Sequence, residues 1–92
     1  MITREGTVAT PRAPELLPLL CRHFAKKVQS TREERRGKVE FPWGHCPVEA
    51  SDGELSFHCR AADKAALAQV QNVLDLHVGM FGRKHPLRID WR

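Results

Sequence analysis

The three cysteines are the softest metal ligands in this sequence and its candidates for thiol chemistry. They are Cys21, Cys46 and Cys59, and no two of them have the C-x-x-C or other spacing typical of a zinc finger. An odd number of cysteines also argues against a framework of disulfide bonds. We therefore expect reduced thiols, and their spacing identifies no cofactor.

Two of these thiols are expected to meet across a β-hairpin. The pair Asp52-Gly53 stands between two runs in which apolar and polar residues alternate, which is the strongest short signal for a hairpin turn. Counting outward from this turn places Cys46 opposite Cys59 at a non-hydrogen-bonded pair, where side chains approach most closely. Pro47 cannot donate a backbone hydrogen bond, so we expect the ladder to end or bulge beside Cys46.

Thiols and imidazoles together would form a ligand set for zinc, copper or iron. His77 lies near the edge of the apolar stripe of the second predicted helix, and His23 lies at the margin of the first. A buried cysteine, however, commonly behaves as a small core residue, and a histidine beside an apolar stripe is commonly hydrogen-bonded within the core. Both interpretations stay open for His23, His77 and Cys46, and neither identifies a metal.

Positive charge is concentrated between Arg22 and Lys38. Seven basic residues and two glutamates lie in this segment, whereas the whole chain has a net charge of +4. Arg32, Arg35, Arg36 and Lys38 form a candidate patch for phosphate groups. Apart from Phe24, which is expected in the core, the segment has no aromatic residue to stack on bases. This composition disfavours nucleic acid as a partner and suits a solvated loop after a helix.

Catalysis has little support in the residues. The sequence has no G-x-S-x-G elbow and no P-loop, and Cys21 and His23 are two positions apart on a helix, so they do not face each other. The exposed face of the hairpin should carry His45, Glu49 and His58, which a solvated polar face explains equally well. We therefore favour a binding protein over an enzyme.

Two amphipathic helices and five strands are expected to position these residues, in the order β-α-β-β-β-α-β. Strands are predicted over 2–10, 38–41, 46–50, 55–60 and 87–91, and helices over 15–28 and 64–81. Pro18 suggests that the first helix starts late or is kinked, Asp63 is a good N-cap for the second, and Gly82 and Pro86 follow its end. The polar stretch 29–38 is read as a loop leading into the second strand.

Length and patterning define the fold class. The 92 residues, of 10.5 kDa, suit one domain over 1–92, in which two helices pack on one face of a mostly antiparallel sheet in a two-layer α+β arrangement. The sequence has no apolar run long enough for a membrane span and no signal-peptide pattern at its start. We therefore expect a cytoplasmic protein without a membrane partner.

Several stretches of the chain together resemble a known bacterial family. They are Leu20-Cys21-Arg22-His23-Phe24, Gly37-Lys38-Val39-Glu40-Phe41, Cys46-Pro47-Val48-Glu49-Ala50, Ala62-Asp63-Lys64-Ala65-Ala66-Leu67, Leu76-His77-Val78-Gly79-Met80-Phe81 and Ile89-Asp90-Trp91. With them the chain is similar, over nearly its whole length, to the bacterial domain-of-unknown-function family 2218. By this resemblance His23 and His77 match family positions, whereas Cys59 and the His45/His58 pair look particular to this sequence.

The resemblance implies a link to iron handling. Some relatives resemble an accessory unit of siderophore-interacting, flavin-dependent ferric reductases, which makes such a reductase a candidate partner. Our leading hypothesis is thus a small non-catalytic binding or accessory domain with its ligand or metal site around His23 and His77. The alternatives are an interaction module that forms a homodimer through the open sheet face or a strand edge, and a weak nucleic-acid binder that uses the segment 32–38.

Overall fold

A computed structural model of the protein describes residues 1–26, 28–80 and 87–92. In this part of the chain two helices accompany a sheet of six strands. The elements, in order, are β1 (Ile2–Ala9), α1 (Ala13–Ala25), β2 (Gln29–Glu33), β3 (Arg36–Phe41), β4 (Gly44–Ala50), β5 (Glu54–Ala61), α2 (Lys64–Met80) and β6 (Asp90–Trp91).

The sheet has the strand order β2-β3-β4-β5-β1-β6, and every neighbouring pair is antiparallel. Helix α1 packs mainly over β2 and β3, and α2 packs mainly over β5 and β4. The core lies between the helices and the sheet, where apolar side chains alternate along each central strand, as Val48 does in β4 and Phe57 does opposite it in β5. The predicted two-layer α+β fold is confirmed.

The seven predicted elements occur in the predicted order, but the structure contains one strand more. The stretch that we read as a loop forms β2, which pairs with β3 through a two-residue turn at Glu34 and Arg35. Glu34 has a φ of 39°, the left-handed conformation that such a hairpin turn requires. The loop interpretation is wrong because both faces of this strand carry polar residues. The sequence therefore lacks the alternation of apolar and polar residues by which a strand is recognised.

Helix α1 begins earlier than the sequence suggested. It starts at Ala13 and continues through Pro18, so of the two alternatives expected at Pro18 the late start is wrong. Pro14 occupies the first turn, where its missing N–H would have no helical partner in any case. Val28 lies beyond the end of the helix and still packs against the core.

Helix α2 begins as predicted. The Asp63 carboxylate accepts a hydrogen bond from the backbone N–H of Ala66 at 2.8 Å, which caps the first turn. The buried side of α2 is formed by Leu67, Val70, Leu74 and Val78. The predicted end of this helix at Phe81, the stop at Gly82 and the following Pro86 lie outside the described residues.

The sheet face that the helices leave open is polar. Its strand positions include Glu5, His45, Glu49 and His58, none of which is buried, and the His58 Nδ1 lies 3.2 Å from the Glu5 carboxylate on the neighbouring strand. Neither described helix is long and apolar enough to cross a membrane.

Candidate functional site

The structure brings the two candidate histidines together. His23 lies in the last turn of α1 and His77 in the last turn of α2, and their ring centres are 4.8 Å apart with the planes tilted by 56°. Both side chains are half-buried. The pair therefore lies at one end of the helical layer, within reach of small ligands.

The ring of His77 has a defined hydrogen bond. Its Nδ1 lies 2.7 Å from the backbone carbonyl oxygen of Val73, one helical turn earlier. Because a carbonyl oxygen can only accept, Nδ1 carries the hydrogen, and in the neutral ring the lone pair is then on Nε2. A backbone carbonyl that holds one imidazole nitrogen in this way is a common support for a metal-binding histidine.

A row of aromatic rings connects the histidine pair to the surface of the sheet. Phe24 packs against His77 with 4.8 Å between ring centres and edge-on against Phe41 at 5.9 Å. Phe41 stacks on Trp43 at 5.4 Å with an angle of 11° between the planes, and Trp43 is 40% exposed in the turn after β3. Trp43 falls between the strands predicted over 38–41 and 46–50, where no element was expected. The alternation of Phe41 and Trp43 across this short turn is the signal that could have revealed the row.

Cys46 does not join the histidines. Its sulfur lies 3.5 Å from that of Cys59, and both side chains are completely buried. No three His, Cys, Asp or Glu side chains in the described part of the chain form a group that could hold a metal ion. The hypothesis that Cys46 shares a ligand set with His23 and His77 therefore has no geometric support, whereas the predicted approach of the two thiols is observed.

The hydrogen-bond ladder is interrupted beside this thiol pair, as Pro47 predicts. Bridge pairs are present on both sides, at His45 with Arg60 and at Val48 with Phe57, but not at the two positions between them. The hydrogen bond with Cys59 raises the pKa of the Cys46 thiol well above its ordinary value, and burial raises it further, while the His58 backbone acts in the opposite direction. The Cys46 thiol is therefore held in its neutral form.

The candidate basic patch is divided by the β2–β3 hairpin. Two of its four cations form ion pairs with carboxylates, and a third stands opposite glutamates in the sheet. Arg35 binds Asp52 at 2.8 Å, Lys38 binds Glu40 at 3.1 Å, and Arg36 stands opposite a glutamate on each neighbouring strand. Arg32 lies on the other side of β2, because side chains alternate along a strand. The four residues thus do not form one continuous positive surface.

Comparison with known proteins identifies relatives but no ligand. No curated protein matches the chain. The NMR structure of PA4090 from Pseudomonas aeruginosa is similar to it with a TM-score of 0.82 and 25% sequence identity, over 100% of this chain and 96% of that one. The family profile described as an uncharacterised protein conserved in bacteria, DUF2218, matches residues 5–92. With nearly its whole length matched, the chain belongs to the DUF2218 family.

Proposed function

We propose that the protein is a non-catalytic binding domain whose His23/His77 pair binds a transition-metal ion. The distance between the two imidazole rings, 4.8 Å, is the observation that carries this proposal. Two imidazoles bound to one metal through bonds of about 2.0–2.1 Å at a near-tetrahedral angle have ring centres about 5 Å apart. The hydrogen bond from His77 Nδ1 to Val73 supports the proposal because it leaves Nε2 as the nitrogen with the lone pair.

A metal ion that is bound by only two protein side chains keeps most of its coordination positions open. Imidazole suits zinc, copper, iron and nickel, and the family resemblance favours iron among them. We therefore propose that the ion is bound together with ligands of its own, as in a ferric siderophore or another chelate. In this proposal the domain serves iron or siderophore utilisation, and a siderophore-interacting reductase is its partner.

A cytoplasmic location belongs to the same proposal. The three cysteines are free thiols, and Cys46 and Cys59 lie close together without a bond between them. Unbonded neighbouring thiols are typical of a reducing compartment.

The proposal can be tested by titrating the purified protein with ferric siderophore, ferrous iron and zinc, followed by calorimetry. We expect binding with a stoichiometry of one, and loss of that binding in the double variant His23→Ala/His77→Ala. The variant His58→Gln is the matched control, because it removes an imidazole from the open sheet face and should leave the affinity unchanged. Absence of binding for all three probes, or equal binding by the double variant, would refute the proposal.

A nucleic-acid function is not proposed for this chain. Arg35 and Lys38 are bound to carboxylates, and Arg36 lies between two glutamates. A phosphate backbone would have to displace these acidic groups, which removes most of the electrostatic gain of binding.

A further inference from the structure

A groove between α1 and the edge strand β2 has features of an anion-binding site, separate from the histidine pair. Its volume is about 210 Å³, and its walls include Cys21 and Arg22 from the helix and Ser30 and Arg32 from the strand. Ser30 pairs with Val39 and Arg32 with Gly37 on β3. Because Val39 is buried beneath the helices, this alternation directs Ser30 and Arg32 to the side that α1 covers.

The two arginines of this groove differ from Arg35 and Lys38 nearby. Within the described residues neither Arg22 nor Arg32 forms an ion pair with a carboxylate, and no acidic residue is among those that line the groove. Arg32 makes one long hydrogen bond, of 3.5 Å, to the backbone oxygen of Glu34. Both guanidinium groups therefore keep most of their donors for a ligand, whereas Arg35 and Lys38 on the outer surface do not.

The Ser30 hydroxyl is a third polar group at the groove. Among the described residues its buried Oγ makes no hydrogen bond of good geometry, although it interacts with the neighbouring Cys21 thiol. A buried hydroxyl without a good hydrogen bond is costly, and such groups are rare in folded proteins. A ligand with an acceptor oxygen would satisfy this donor.

The thiol of Cys21 completes the wall of the groove. Burial raises the pKa of this thiol, while the nearby Ser30 side chain and the charge of Arg32 act to lower it. The thiol is packed so closely on the sheet that a Cβ added at Gly37 would lie 2.7 Å from its sulfur. The side of the groove nearest the sheet is therefore uncharged and closely packed, and the positive charge of the groove comes from the arginines.

We propose that this groove binds a small tetrahedral oxyanion, either inorganic phosphate or the phosphate group of a monoester. Planar guanidinium groups match the oxygens of a phosphate in pairs, and the Ser30 hydroxyl adds a further donor. The volume is below the range of about 300–1,000 Å³ that is usual for pockets that enclose drug-sized ligands. One phosphate group fits this space, and the rest of a larger ligand would lie outside the groove.

The test is an NMR titration of the protein with sodium phosphate, with sodium chloride at matched ionic strength as the reference. We expect saturable shifts with phosphate alone, centred on Ser30, Thr31 and Arg32. Arg22→Gln and Arg32→Gln should each weaken the affinity by about tenfold or more, since each removes hydrogen bonds from a charged donor. Arg36→Gln, which changes the same residue type on the open sheet face, should leave the affinity unchanged.

A second titration uses glycerol phosphate in place of inorganic phosphate. It distinguishes a phosphate monoester from the free phosphate ion as the ligand. Tighter binding of the monoester would indicate a phosphorylated metabolite, and tighter binding of the free ion would indicate inorganic phosphate. Shifts that do not saturate with either compound, or an equal loss of affinity in Arg36→Gln, would overturn the proposal.

Discussion

At the scale of single residues, the position of Cys46 beside Cys59 follows from one hairpin turn. The Asp52-Gly53 turn sets the register of β4 and β5, because the Ser51 N–H bonds to the Glu54 carbonyl at 2.8 Å, and this register puts Cys46 beside Cys59. The meeting of His23 and His77 could not be derived in the same way. It depends on how two helices that are distant in sequence pack side by side, which no local pattern specifies.

The neutral state of Cys46 predicts a dependence of stability on pH. Because its folded-state pKa is raised above the ordinary value of 9.0, the thiol contributes stability that is fully present below about pH 9 and is lost as the pH rises through the folded-state pKa. Urea unfolding at about pH 8 and about pH 10 should therefore show a larger loss of stability in the wild type than in Cys46→Ala. An equal loss in both proteins would contradict this account, since the other titrating groups are common to the two.

At the scale of elements, the sequence predicted the helices and strands whose apolar residues recur at regular spacing. It did not predict β2, which lacks such a pattern. The residues of β2 are Gln29, Ser30, Thr31, Arg32 and Glu33, so neither face of the strand is apolar. Such a strand suits the edge of a sheet, where exposed charges discourage pairing with another molecule. The same lack of pattern concealed the groove beneath α1, because Ser30 and Arg32 had no assigned face.

The close packing of β4 on β5 depends on Gly44. A Cβ at this position would overlap the backbone oxygen of Arg60 and approach Ala61, and backbone atoms cannot turn aside as a side chain can. Gly44→Ala should lower the free energy of unfolding by about 1–3 kcal/mol, measured by chemical denaturation.

A second glycine, in a helix, provides the control for this substitution. Among the described residues, a Cβ at Gly79, in α2, would have no neighbour within 4 Å beyond the adjoining backbone of its own helix. Gly79→Ala should therefore raise the stability by about 0.5–1 kcal/mol, because alanine is the better helix former. Similar effects of the two substitutions would show that backbone crowding at Gly44 is not limiting.

At the scale of the whole molecule, the C-terminal segment ties the second helix to the far edge of the sheet. The indole N–H of Trp91 donates to the carboxylate of Asp75 on α2, with distances of 3.0 and 3.3 Å to its two oxygens. The Arg92 N–H donates to the Glu5 carbonyl at 2.8 Å. Because Gly6 has no side chain, Ile89 and Trp91 can pack directly on β1. Helix α2, strand β1 and the C-terminal segment are therefore held as one unit.

Removal of the Asp75 carboxylate should loosen this unit locally. In Asp75→Ala we expect a loss of about 0.5–1.5 kcal/mol of stability and faster hydrogen exchange at the Arg92 amide than in the wild type, measured by NMR. Asp52→Ala is the matched control, because it removes an exposed carboxylate from the Arg35 ion pair and should not affect β6. Unchanged exchange at Arg92 in Asp75→Ala would show that the indole contact does not anchor the segment.

The place of β1 in the sheet also determines the order in which the chain can assemble. Strands β2 to β5 form three successive hairpins between neighbours in sequence, which close short loops at low entropic cost. By contrast, β1 lies between β5 and β6, and its Glu5 faces a histidine 53 residues further along the chain. Of the strands in this sheet, β1 is synthesised before the others and is consequently among the last to be paired. Until it is paired, the nascent protein exposes the long edge of β5, and this interval is when it is most vulnerable to aggregation.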